Sequence, residues 1–286
     1  MASKDTTPLG YVELANGSKA IFPMNDIFLN FTFEDASHWE ALRLAVNLLI
    51  EAFKKQKPDT KVKPIEGNIK VRTQFQHLLN MQNATRNQDI KMTEDETETT
   101  YIEFQNRAKT DVPIEIRSVE YFGLGIGHSK GKLANQIWLL AEDVDSVLHG
   151  KTFTRYILKD EITGKEHPAN SGIMYVSLIK LSQEESPAGE LAAFLLGKMK
   201  NPTNEAVKKI SKAFNTSFDA FKTDKEAVKM LSARERGWHE GLVEGREEGE
   251  TNIATKVMEL IEKGVSQEDI AGMMRKITGG YKGQDE

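Results

Sequence analysis

RNQDIKMTEDETETTYIEFQ, residues 86–105, carries the pattern from which the rest of the chain can be read. It predicts two short strands, 89–92 and 99–105, joined by an acidic turn, because no apolar residue occurs from Thr93 to Glu98. In the second strand Tyr101, Glu103 and Gln105 alternate with Ile102 and Phe104, so the period-2 geometry of a strand sends the three polar side chains to one face. If the strands pair, Asp89 meets Glu103 and Gln105 at one end of the hairpin. Two carboxylates and an amide then lie within reach of one divalent cation. Hard oxygen ligands of this kind suit Mg²⁺, which keeps several waters and is held by one or two protein carboxylates.

Downstream, DVPIEIRSVEYFGLGIG predicts a helix that starts at Asp111 and Pro113 and has Ile116, Val119 and Phe122 on its apolar side. Arg117 and Tyr121, at i and i+4, share a face of it. Strands are expected at 136–141, 152–158 and 173–181, with a turn around Gly164; IMYVSLIKL is apolar on both faces, as an interior strand should be. Upstream, Ile69, Val71, Thr73 and Phe75 alternate as in a strand, after a basic loop, KKQKPDTKVK, that either touches a DNA backbone or is simply solvated. Trp39, Leu42, Val46, Leu49 and Phe53 mark an amphipathic helix whose opposite stripe is Glu40, Arg43, Asn47 and Glu51. The FLNFTF segment before it is expected to pack an N-terminal arm onto the core.

These motifs, in this order, resemble the PD-(D/E)XK nuclease core, and within it the recombination-promoting nuclease and transposase-related (Rpn-like) branch. There the usual Glu-x-Lys becomes Ile-Glu-x-Gln, here Ile102-Glu103-Phe104-Gln105. NDIFLNFTF with the helix after it looks like the opening segment of that branch, Arg117 and Tyr121 like its R-x-x-x-Y helix, and GWHEGLVEGREEGE with KGVSQEDIA like its glycine-repeat tail. The resemblance implies an α/β fold with a mixed central sheet flanked by helices. It divides the chain into an arm (1–25), a nuclease-like domain (26–182) and a helical C-terminal region (183–286). It also implies a Mg²⁺-dependent endodeoxyribonuclease, with Mn²⁺ as a substitute, in which Asp89 and Glu103 hold the metal and Gln105 orients the attacking water. Gln lacks the charge of the wider family's Lys, which implies slower chemistry or help from Arg107 or Arg117, the two candidate DNA contacts. The first helix of such enzymes often adds an acidic ligand, making Glu40 and Glu51 candidates. The setting implied is recombination or transposition in a bacterial cytoplasm.

Composition bounds these expectations. A chain of 286 residues with 39% hydrophobic and 28% charged residues is ample for a core, but its net charge of −5 means that any DNA contact must be a local basic patch or a metal bridge. The absence of cysteine excludes disulfides and cysteine-based zinc sites. No apolar run approaches about 18 residues and the N-terminus lacks an apolar signal region, so neither a membrane span nor secretion is expected.

Five helices are expected after residue 186: one opened by Pro187, one by Asn201-Pro202 through Phe214, one from about Asp224 into a repeat of Gly237, Gly241, Gly245 and Gly249, one carrying Ile253, Val257, Leu260 and Ile261, and a last one with Ser266 and Asp269 as its capping box. One glycine per turn costs about 1 kcal/mol each relative to Ala, so the repeat is either a close helix contact, giving a homodimer through the tail, or a polar connector. Two further readings stay open. In one, the fold is an inactive nuclease relative acting as a protein- or DNA-binding module, with Arg117 in a structural salt bridge. In the other, KVMELIEKGVSQEDIAGMM is half a helix-turn-helix, although RKITGGYKGQDE is too short and glycine-rich to supply a recognition helix.

Overall fold

The computed structural model describes residues 23–73, 89–95, 98–106, 112–128, 134–167, 171–199, 201–229 and 231. The chain divides into two units, Met1–Ser232 and Ala233–Glu286, and every described residue belongs to the first. The glycine repeat, Arg107 and the arm before residue 23 therefore lie outside the described residues.

Helix α1 (Asp26–Glu34) starts at Asn25, whose side chain accepts from the Phe28 N–H. A short 3₁₀ turn, Ala36–His38, leads into α2 (Trp39–Gln56), which buries Leu42, Val46, Leu49 and Phe53 as their spacing predicts. Three antiparallel strands follow: β1 (Ile69–Thr73), β2 (Ile90–Glu94) and β3 (Glu98–Gln105). Helix α3 (Ile114–His128) carries the chain to β4 (Ala134–Leu140), which runs parallel to β3; a parallel pair needs a long connection of this kind. The rest comprises α4 (Asp145–Leu148), β5 (Phe153–Ile157), β6 (Gly172–Ser177), α5 (Leu178–Leu181), α6 (Pro187–Leu195) and α7 (Glu205–Thr223). The molecule is thus α/β, with a six-stranded mixed sheet in the order β1-β2-β3-β4-β6-β5, flanked by helices.

The sheet carries a core on each face, and β4 and β6 feed both. On one face Ile102, Ile137, Leu139, Met174 and Val176 join α1, α2, α6 and α7. Phe28 of α1 lies edge-on to Phe214, Phe218 and Phe221 of α7, with ring centroids 5.9, 6.2 and 5.6 Å apart. On the other face Trp138, Leu140, Ile173 and Tyr175 pack with Ile114 and Tyr121 of α3 and Val147 and Leu148 of α4.

Four expectations need correction. The boundary at 182 does not separate a tail: α6 and α7 fill the first core with Leu191, Phe194, Phe214 and Phe221, because α1 and α2 alone leave apolar surface that needs a cover. Residues 173–181 are not one strand, since Ser177 ends β6 and its Oγ accepts from the Lys180 N–H at 3.1 Å, capping α5. The helix expected from Asn201-Pro202 instead begins at Glu205, capped by the Asn204 side chain, and runs on past Phe214 to Thr223. On α3, Ile116 and Val119 are 53% and 64% exposed, while Ile114, Ser118 and Tyr121 face the sheet. The rotation follows from the sheet beneath: Trp138 stacks on Tyr121 at 6.0 Å, and the Tyr175 hydroxyl bonds to Ser118 Oγ.

Candidate functional site

The alternation on β3 sends Ile102 and Phe104 to the first core and Tyr101, Glu103 and Gln105 to the face covered by α3. Ile90 pairs with Ile102, so one step further out Asp89 comes opposite Glu103. Two bonds tie Asp89 to β3: the Asp89 N–H donates to Glu103 Oε1 at 3.0 Å, and Asp89 Oδ2 accepts from the Phe104 N–H at 2.9 Å. Glu103 is only 3% exposed. Burial pushes its carboxyl well above the ordinary value of 4.5, and the negative charge of Asp89 adds to this; the Asp89 N–H and the Arg117 charge act in the opposite sense.

Gln105, also buried, accepts from Arg117 Nη1 at 3.0 Å through Oε1. The Arg117 guanidinium lies over the rings of Trp138 and Tyr121, 5.4 and 5.7 Å from their centroids. Burial, followed by the charge of Glu103, raises the Tyr121 hydroxyl above its ordinary range, with Arg117 opposing. The structure therefore brings Asp89, Glu103, Gln105 and Arg117 together at the open end of the hairpin.

Glu40 and Glu51 are not brought there. Helix α2 packs on the opposite face of the sheet, where Glu40 is paired with Arg43 at 2.7 Å and Glu51 is exposed. The reason is the strand period, which puts Ile102 against α2 and its neighbour Glu103 on the far side. Two cations that the sequence reading passed over do share the site's face. Strand register aligns Arg72 of β1 with Lys91 of β2 and Lys91 with Tyr101 of β3. The Lys91 ammonium stands 5.7 Å from the Tyr101 ring centroid, and partial burial, with Arg72 adding, lowers its proton affinity. Their signal was the polar half of the alternating IKVRT and IKM segments, legible only once the register is known.

Among the described residues no group of three or more His, Cys, Asp or Glu side chains is arranged to hold a metal ion. Two hard carboxylates, Asp89 and Glu103, nonetheless fit Mg²⁺, which takes few protein ligands and completes its shell with water and phosphate oxygens. They do not fit a structural zinc site, which needs four protein ligands. No helix among the described residues is long and apolar enough to cross a membrane. The chain matches no protein-family model, no curated protein and no solved structure.

Proposed function

We propose that the chain is a metal-dependent endodeoxyribonuclease that hydrolyses phosphodiester bonds at the Asp89 and Glu103 pair. The observation that carries the proposal is the buried Glu103 carboxylate held against a second acid. Such a group binds either a proton or an external positive charge, because neither burial nor the neighbouring carboxylate favours its bare anion. Mg²⁺ or Mn²⁺ held by these two residues would supply an acidified water and offset charge on the scissile phosphate.

The remaining roles belong to the protein's own side chains. By donating to Gln105 Oε1, Arg117 fixes the amide's orientation, and Gln105 would orient the attacking water. The guanidinium also supplies, beside Gln105, the positive charge that a lysine at that position would carry. Lys91 and Arg72 extend a local basic strip across the same face, the kind of patch a chain of net charge −5 needs in order to meet DNA. The mixed sheet flanked by helices agrees with the PD-(D/E)XK resemblance, and a role in bacterial recombination or transposition, with a dimer formed through the C-terminal helices, follows from that resemblance alone.

One observation favours a second reading, an inactive nuclease fold used as a binding module: each carboxylate already accepts a main-chain N–H from the opposite strand, as a purely structural clamp would. Cleavage of supercoiled plasmid with Mg²⁺, Mn²⁺, Ca²⁺ or EDTA separates the two. The nuclease reading expects nicking with Mg²⁺ or Mn²⁺ that falls by at least about 100-fold in Asp89→Ala and Glu103→Ala, as loss of transition-state charge stabilisation would cause. No cleavage by the intact chain, with calorimetry showing no Mg²⁺ or Mn²⁺ binding, overturns it in favour of the module.

A further inference from the structure

A second concave site lies on the other face of the sheet and at the other end of its parallel strands. It is a cavity of about 500 Å³ beneath the loop between α2 and β1. Its floor is apolar, formed by Ile50 of α2 with Met92, Ile137 and Met174 of the sheet. Its walls carry four cations: Lys54 at the end of α2, Lys61 and Lys63 on the loop, and Arg155 on β5. Only two acids, Glu94 and Glu98, line it, both from the β2–β3 side.

The loop that presents Lys61 and Lys63 is held from several sides. Asn47 grips Ile65 at both main-chain groups, accepting from its N–H at 2.7 Å and donating to its carbonyl at 2.9 Å. Glu94 Oε1 accepts from the N–H groups of Glu66 and Gly67, and Arg43 donates to the Glu66 carbonyl at 3.2 Å. Much of the Glu94 charge is thus spent on the loop backbone. A Cβ at Gly67 would sit 2.1 Å from Asp95 Oδ2, so a larger residue there would displace the Asp95 side chain, whose Oδ1 accepts from the Asn68 N–H.

Arg155 is also placed deliberately by the fold. A Cβ on Gly172 would meet the Tyr156 carbonyl at 2.6 Å and the Arg155 guanidinium at 3.0 Å, so the bare backbone of β6 gives the guanidinium room. From there Arg155 Nη2 reaches Asn135 Oδ1 at 3.4 Å. Burial lowers its proton affinity despite the neighbouring charge of Glu166, which is paired at 3.2 Å with Lys61. An anion entering the cavity would relieve that cost and compete with Glu166 for Lys61.

We infer that this cavity binds a small organic phosphate ester with a flat apolar body, its phosphate among Lys54, Lys61, Lys63 and Arg155 and its body against the Met92, Ile137 and Met174 floor. A pocket of this size is typical of small-ligand sites; here an apolar floor is ringed by polar and charged walls. Four cations set against Glu94, Glu98 and the Glu166 partner of Lys61 leave a net positive rim, which favours a phosphate, carrying close to two negative charges, over a singly charged carboxylate. The site is independent of Glu103 and of the nuclease reading.

The test uses the full chain and a fluorescent N-methylanthraniloyl derivative of ADP as the probe. Saturable binding is expected, displaced by ADP or by phenyl phosphate, the stronger of the two naming the nucleoside or the simple aryl ester as the body. Arg155→Met and Lys63→Ala should each weaken binding by about tenfold, about the strength of one charge-assisted contact, with circular dichroism unchanged. Glu103→Gln should leave it unaltered. Absence of saturable binding, equal binding in both cation variants, displacement by adenosine as effective as by ADP, or displacement by inorganic phosphate as effective as by the esters would each overturn the inference.

Discussion

Glu103 and its neighbour Phe104 are consecutive on β3, yet they meet opposite environments. Phe104 packs against a core sealed by α1, α2, α6 and α7, in which aromatic rings meet edge to face. Glu103 is more deeply buried than the half-buried Phe104, but among an acid, an amide, a guanidinium and the rings of Tyr121 and Trp138. The first face is where the fold gains its stability; on the second, a buried carboxylate spends some of it. A catalytic or binding group is affordable there because the opposite face carries the structure.

The largest effect expected from this division lies on the apolar face. Phe214 is 1% exposed, with Phe28, Phe33 and Phe194 at 5.9, 5.8 and 5.5 Å. Phe214→Ala should cost about 3–5 kcal/mol, read from urea unfolding. A loss below about 1 kcal/mol would mean that α7 contributes little to the core and would revive the boundary at 182.

The polar face should respond in the opposite sense. The folded state raises the Glu103 pKa above its ordinary value of 4.5, so over the window above 4.5 it binds more protons than the unfolded chain. Stability attributable to this group is therefore complete below about pH 4.5 and is lost as pH rises toward the folded pKa, at no more than about 1.4 kcal/mol per pH unit. Glu103→Gln keeps an oxygen for the Asp89 N–H and removes the titration. The variant should match or exceed the parent in stability at pH 8, with the difference vanishing near pH 4. Thermal unfolding across that range checks this, and a parent that gains stability with rising pH relative to the variant would show Glu103 to be ionised and well compensated without metal.

Tyr175 lies deeper on the same face, and burial pushes its hydroxyl up to about 12. Tyr175→Phe should cost about 1 kcal/mol through the lost bond to Ser118. It should also remove the last tyrosine to ionise in an ultraviolet absorbance titration. A phenol at 175 titrating near 10 would place this hydroxyl in water and open the face beneath α3.

What the sequence disclosed follows from how much each feature depends on local pattern. The hairpin, α2 and the interior strands were legible because period 2 and period 3.6 are local properties. So was the meeting of Asp89, Glu103 and Gln105, which needs only the hairpin. Helix α1 was read as a packing segment because Ile27, Phe28, Leu29, Asn30, Thr32 and Phe33 are all buried, leaving no polar stripe to reveal a helix. Ser177 hid its cap within an apolar run. The strip of Arg72 and Lys91 depends on register across three strands, and the cavity under the α2–β1 loop depends on tertiary closure; neither leaves a local trace.

The smallest effect is the most informative about the site. Two apolar stripes compete on α3, and the sheet chose the one containing Ser118 and Tyr121 because Trp138 and Tyr175 can stack on and bond to it. Val119 was left 64% exposed, and Val119→Lys should change stability by no more than about 0.5 kcal/mol. In an α-helix residue 119 lies about 200° round from residue 117, so the rotation that turns Val119 to solvent is the rotation that aims Arg117 at Gln105. A cost of about 2 kcal/mol or more, by urea unfolding, would mean that Val119 is buried and Arg117 directed elsewhere. The acidic pair would then lack its guanidinium, and the amide its fixed orientation. A neutral result secures the geometry of the site without touching any residue in it.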